Sequence, residues 1–93
     1  MFKFFKKKEK KLKYKCPCCG YYTLKELGVY VICPVCYWEE EPDQLEDPDL
    51  EEQANTVSLN QARENYKKFG ACEIRFKKYV RRPKKDELTG LDY

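Results

Sequence analysis

Two turns of the form Cys-Pro-x-Cys, Cys16-Pro17-Cys18-Cys19 and Cys33-Pro34-Val35-Cys36, are separated only by residues 20–32 in a chain without histidine. Each turn offers two soft ligands from one backbone loop, and two such turns complete the tetrahedron that a divalent zinc ion prefers. Proline after the first cysteine fixes φ, and Gly20 after the first pair is free to take a left-handed conformation. Backbone N–H groups in such a turn point toward the sulfurs and offset part of the thiolate charge. The spacing predicts a closed metal site with Cys16, Cys19, Cys33 and Cys36 as ligands.

A chain of 93 residues should form one domain, and a core that small gains from a metal staple. Charged residues make up 38% of the chain, which favours a soluble protein, and no run approaches the roughly 20 apolar residues of a membrane span. An even number of cysteines in a short chain also suits a disulfide framework. Two features favour metal instead. The segment 1–15 has no apolar stretch resembling a signal peptide, and Cys16, Cys18 and Cys19 are crowded for three separate bridges. A reducing, cytoplasmic location follows from that preference.

Charge falls in blocks rather than evenly. Residues 1–15 carry eight lysines and one acid, residues 37–53 nine acids and no base, and residues 61–85 ten bases and two acids. Three regions are expected: a basic arm over 1–13, a cysteine-rich zinc-binding domain over 14–83, and a polar tail over 84–93. The arm, with Phe2, Phe4 and Phe5 among lysines, reads as a solvated terminus or as a segment that brushes an anionic surface. Tyr21–Leu24 and Val29–Ile32 are β-branched and aromatic, with Gly28 between them, and predict the two strands of a zinc-ribbon hairpin. By period two, Tyr30 and Ile32 would share one face and Val29 and Val31 the other. Their tyrosines are expected to pack around the metal turns.

The acidic stretch 39–53 reads as a solvated loop, with a basic protein partner as the second reading; no calcium-loop pattern is present. Ser58-Leu59-Asn60-Gln61 is a capping box, with Gln61 reaching back to the cap. Leu59, Ala62, Tyr66 and Phe69 then share one helical face, Gly70 ends the helix, and Arg63, Glu64, Lys67 and Lys68 point outward. Residues 71–82 predict a second short helix ended by Pro83. The fold class is therefore α+β: a small zinc-ribbon-like hairpin module with two knuckles, followed by one or two C-terminal helices.

Without histidine there is no Ser-His-Asp relay, no Cys–His nucleophile pair and no usual general base. The four glycines form no phosphate-cradling loop. The chain is not expected to be an enzyme. Cys18, between two ligands, reads as a packing residue or an alternate ligand. Cys72 reads as a buried small hydrophobe against the helix, or as a thiol that joins Cys18 in redox or metal chemistry. Iron is the competing metal, since Tyr14–Tyr21 is also similar to a rubredoxin knuckle. Against iron, Tyr37 stands where that family has glycine, and the spacing between the pairs is short. Zinc is preferred.

Four separated motifs resemble the small cysteine-rich CPCC proteins, a largely bacterial family without an established activity. They are Cys16-Pro17-Cys18-Cys19-Gly20, Ile32-Cys33-Pro34-Val35-Cys36-Tyr37-Trp38-Glu39, Ser58-Leu59-Asn60-Gln61-Ala62-Arg63-Glu64-Asn65-Tyr66 and Phe69-Gly70-Ala71-Cys72. The resemblance implies a zinc-ribbon-like site at Cys16, Cys19, Cys33 and Cys36, and an immunity-like neutralisation of a partner as one special case. It does not extend to the basic arm.

Three functions compete. A zinc-stapled module that binds a protein partner agrees with the closed ligand set and the charge blocks. Nucleic-acid binding is suggested by the basic segments and their tyrosines, and opposed by the acidic block. A thiol redox protein using the Cys16–Cys19 turn lacks the expected βαβ setting, and its second pair sits at ligand spacing. The first is preferred.

Overall fold

The computed structural model describes residues 13–89. The basic arm expected over 1–13 lies outside them except for Lys13, as does the end of the tail, 90–93. The fold is α+β and zinc-ribbon-like. Strand β1 (Tyr14–Lys15) pairs antiparallel with β2 (Tyr22–Leu24), with a bulge between Tyr14 and Lys15. Helix α1 (Pro42–Glu46), helix α2 (Leu59–Phe69), a 3-10 helix (Ile74–Tyr79) and helix α3 (Lys85–Thr89) follow.

The expected hairpin between residues 21–24 and 29–32 is not formed; each Cys-Pro-x-Cys turn closes on its own flanks instead. Across the first, β1 meets β2. Across the second, Ile32 bridges Glu39, the Tyr30 N–H donates to the Glu40 carbonyl at 2.9 Å, and the Glu40 N–H donates to the Val31 carbonyl at 2.8 Å. Left-handed backbone at Gly28 (φ 70°) and Tyr30 (φ 62°) interrupts the 29–32 run, which cannot then extend as one strand. Val29, Tyr30 and Ile32 are exposed and Val31 is half-buried, so the two-faced packing expected of that run is absent and Tyr30 does not pack on the centre.

The acidic stretch differs from the expected loop as well. Glu41 caps α1 by accepting the Asp43 N–H at 2.7 Å, and Pro42 occupies the first helical position, where its missing N–H costs nothing. Trp38 and Glu40 are both buried because alternate residues leaving the second turn face inward. Gln44 holds the segment together. Its Nε2 faces the carbonyls of Leu50, Asn55 and Val57 at 3.0–3.2 Å, and its Oε1 accepts from the Asn55 backbone and side chain. Asn55 in turn gives its amide to the Glu39 carbonyl and takes the Glu39 N–H.

Helix α2 starts and stops where the sequence indicates. Ser58 Oγ accepts the Gln61 N–H at 3.0 Å, and Gly70 closes the helix at φ 84°, its N–H bonded to the Tyr66 carbonyl. Gln61 does not reach back; its side chain bonds forward to Asn65. Leu59 and Ala62 are buried, Tyr66 and Phe69 half-buried. The following helix is of the tighter 3-10 type and ends at Tyr79, before an extended run into Pro83. The core joins both halves of the chain: Cys16, Cys18, Leu24, Cys33, Val35, Cys36 and Trp38 from the knuckles meet Leu59, Ala62 and Cys72.

Within the segment expected as a polar tail, Glu87 of α3 is buried. Arg81 grips both of its oxygens at 2.9 Å, the Lys84 N–H donates to it at 2.7 Å, and Lys13 lies 3.6 Å away. These contacts hold its carboxyl down to about 2, chiefly through the Arg81 hydrogen bonds.

Candidate metal centre

The two cysteine turns share one local design. In the first, the Gly20 N–H donates to the Cys16 carbonyl at 2.9 Å and the Cys16 N–H to the Tyr21 carbonyl at 2.8 Å. In the second, the Tyr37 N–H donates to the Cys33 carbonyl at 2.8 Å and the Cys33 N–H to the Trp38 carbonyl at 2.9 Å. The residue after each pair is left-handed, Gly20 at φ 84° and Tyr37 at φ 72°. Glycine takes this conformation without strain, whereas a tyrosine pays about 1 kcal/mol or more. Tyr37 is held there by its ring, which stacks on Tyr79 at 5.4 Å and tilts against Phe76 at 4.8 Å.

This duplication brings Cys16, Cys19, Cys33 and Cys36 together, with their sulfurs all within 4.8 Å of one another. Cys16 Sγ lies 3.6 Å from Cys36 Sγ, and Cys19 Sγ 3.8 Å from Cys33 Sγ. A tetrahedral ion with sulfur bonds near 2.3 Å requires edges of about 3.8 Å. The spacing therefore fits a four-thiolate metal ion, and the six cysteines are free rather than cross-linked. Three of the four are buried, with Cys19 half-exposed.

Four thiols this close, three of them buried, cannot all ionise unaided. Cys33 is drawn far below the usual thiol range by hydrogen bonds from Cys16 first, then Cys19, Cys36 and Thr23. Cys16 is pushed far up, foremost by its sulfur contact with Cys19, and Cys36 foremost by its contact with Cys16. Cys19 also rises; its leading contact, Cys16, lowers it, but Cys33, Cys36 and burial outweigh that. A bound cation would reverse this frustration by stabilising every thiolate at once.

Several supports escaped sequence reasoning. Thr23 Oγ1 lies 2.9 Å from Cys33 Sγ, and the Val35 N–H points at the same sulfur at 3.4 Å. Arg63, expected to face outward, donates from Nε to the Pro17 carbonyl at 2.9 Å and anchors α2 to the first knuckle. The Cys72 N–H donates to the Cys36 carbonyl at 2.8 Å, and the Arg81 N–H to the Pro34 carbonyl at 3.2 Å. A turn written as Cys-Pro-x-Cys exposes carbonyls that need donors, which is the one signal that could have foretold these contacts.

Cys18 and Cys72 stay outside the group of four. Both are buried in the core. Burial pushes the Cys72 thiol up to about 12, which disfavours the reactive thiolate.

Paired knuckles closing on one buried sulfur cluster, backed by helices, define a small zinc-ribbon-like protein able to hold a metal ion. The chain belongs to the Cysteine-rich CPCC family, whose model matches residues 14–87. No curated protein matches it.

Proposed function

We propose that this chain is a small zinc-binding protein in which Cys16, Cys19, Cys33 and Cys36 form a closed structural site, and that it serves as a protein-interaction module of the cytoplasm rather than as an enzyme. The observation that carries the metal reading is the pair of sulfur edges at 3.6 and 3.8 Å, which match a tetrahedral ion. Four thiolates accept zinc or iron alike. Tyr37 adopts the left-handed backbone that glycine would take, so its identity does not argue against iron; the short spacing between the pairs still favours zinc.

A structural ion supports interaction rather than turnover because all its positions are filled by protein. The segregated charge blocks supply surfaces for a partner, and among the described residues no helix is long and apolar enough to cross a membrane. Native mass spectrometry with elemental analysis should find one colourless zinc ion per chain. Chelation should unfold the domain and shift the emission of buried Trp38, since ligand binding and folding share one free energy. Cys36→Ser should abolish retention of the ion, whereas Cys72→Ser should keep it. A metal-free chain that stays folded, or a coloured iron protein, would refute the zinc reading.

A further inference from the structure

Opposite charges on this domain are segregated into blocks, and the acidic block lacks ion pairs among the described residues. Between residues 39 and 52 there is no base, and among the described residues none of those carboxylates is ion-paired. Asp43, Glu46, Asp47, Glu51 and Glu52 are exposed, and Leu45 on α1 stands exposed among them. The 3-10 helix carries the opposite pattern. Ile74 and Tyr79 are exposed at 66% and 58%, beside Lys77, Lys78 and Arg75, the last already paired with Glu73 at 2.9 Å. Ile74, Arg75, Lys77 and Lys78 line an open depression of about 480 Å³. Neither Lys77 nor Lys78 has a carboxylate partner among the described residues.

The acidic stretch and the 3-10 helix approach each other at one point, where Glu39 and Arg75 line the same small recess of about 60 Å³ together with Ile32, Tyr37, Thr56 and Phe76. One side is thus exposed Leu45 among acids, the other exposed Ile74 among bases, and Glu39 and Arg75 mark the seam between the two segments.

We propose that this two-signed surface is a self-complementary docking face that takes a second copy of this chain. The two copies meet across a two-fold axis near the seam, with α1 of each against the 3-10 helix of the other. A two-fold arrangement lets one patch satisfy itself twice, the commonest geometry of a homodimer. Burying exposed Leu45, Ile74 and Tyr79 supplies the apolar contact, and the rims set orientation and speed of encounter.

A nucleic acid fits the same surface less well. The Tyr37 ring is already engaged by Tyr79 and Phe76, with Arg75 over Phe76 at 4.4 Å and Lys78 by Tyr79 at 5.4 Å. Glu39 at the seam, with the unpaired acids that follow it, repels a polyanion.

This inference rests on the interaction-module reading and names its partner. Sedimentation velocity of the metal-loaded full chain tests it at about 20 mM and about 500 mM salt, on either side of strong screening. The expected result is a dimer with a dissociation constant on the order of 10 µM at low salt, weakened about tenfold or more at high salt. Lys77→Glu with Lys78→Glu should be monomeric at low salt, as should Glu46→Lys with Glu51→Lys. Mixed one to one, these two variants should form a dimer, because each then presents one sign at both contacts.

A wild-type chain that stays monomeric at low salt overturns the proposal. So does a dimer that ignores the four reversals, or a mixture that does not pair. Metal content measured on each sample separates the two ideas: a metal-loaded monomer defeats the surface alone, and an unmetallated chain defeats the staple.

Discussion

Glu40 is the residue whose placement is most costly. It is fully buried, and neither carboxylate oxygen has a hydrogen bond of ordinary geometry among the described residues. Burial raises its affinity for a proton, the nearby charge of Glu41 adds to this, and the dipole of the Gly28 backbone opposes it. A carboxyl with a raised value stabilises the folded state at low pH and loses that contribution as pH climbs past the ordinary value of 4.5. Glu40→Leu, which removes an unmet buried group, should therefore stabilise the protein by about 1–3 kcal/mol near neutral pH. Its advantage should shrink as pH falls toward 4.5. Urea denaturation of both metal-loaded chains at several pH values measures this, and a variant no more stable than wild type near neutrality would contradict it. Burial of Glu40 could have been suspected from its two-residue offset from Trp38, but the surrounding run of acids hid it. Tyr37 was opaque for a different reason. Only the ring contacts with Phe76 and Tyr79, distant in sequence, explain a tyrosine in a glycine's conformation.

At the scale of elements, what could be read in advance was local. The knuckle spacing, the Ser58 cap and the Gly70 stop are each written within a few residues, and each element begins or ends there. The strand partner of Tyr22–Leu24 was not legible, because Tyr14–Lys15 is too short to carry a strand pattern of its own and pairs only through the fold of the first knuckle. The order of the acidic segment was equally hidden: it depends on Gln44 meeting Asn55 and three carbonyls up to 13 positions away. Those contacts make a specific claim. Gln44→Ala leaves several buried carbonyls without donors and should cost about 2–3 kcal/mol. Backbone amides over 47–57 should exchange faster with solvent, while the metal stays bound. Unchanged exchange there would show that the amide network does not order the segment.

For the molecule as a whole, the ends matter as much as the centre. Glu87 receives Arg81, Lys84 and Lys13, and its carboxyl is lowered from 4.5 to about 2, first by the Arg81 hydrogen bonds. A depressed carboxylate contributes its full stability above pH 4.5 and loses it as pH falls through about 2. Glu87→Gln should be less stable than wild type by roughly 2–3 kcal/mol at neutral pH. That gap should stay flat down to about pH 5 and close in stronger acid. Because the thiolates protonate in both chains, the difference between the two melting curves isolates the carboxylate. A gap independent of pH would show that Glu87 acts through packing alone.

The same carboxylate joins residue 13 to residue 87, and every cysteine lies on the stretch between them. Tension applied to the two ends would meet this ionic latch first, leaving the sulfur cluster slack until the latch had parted. Mechanically, the centre sits behind a fuse.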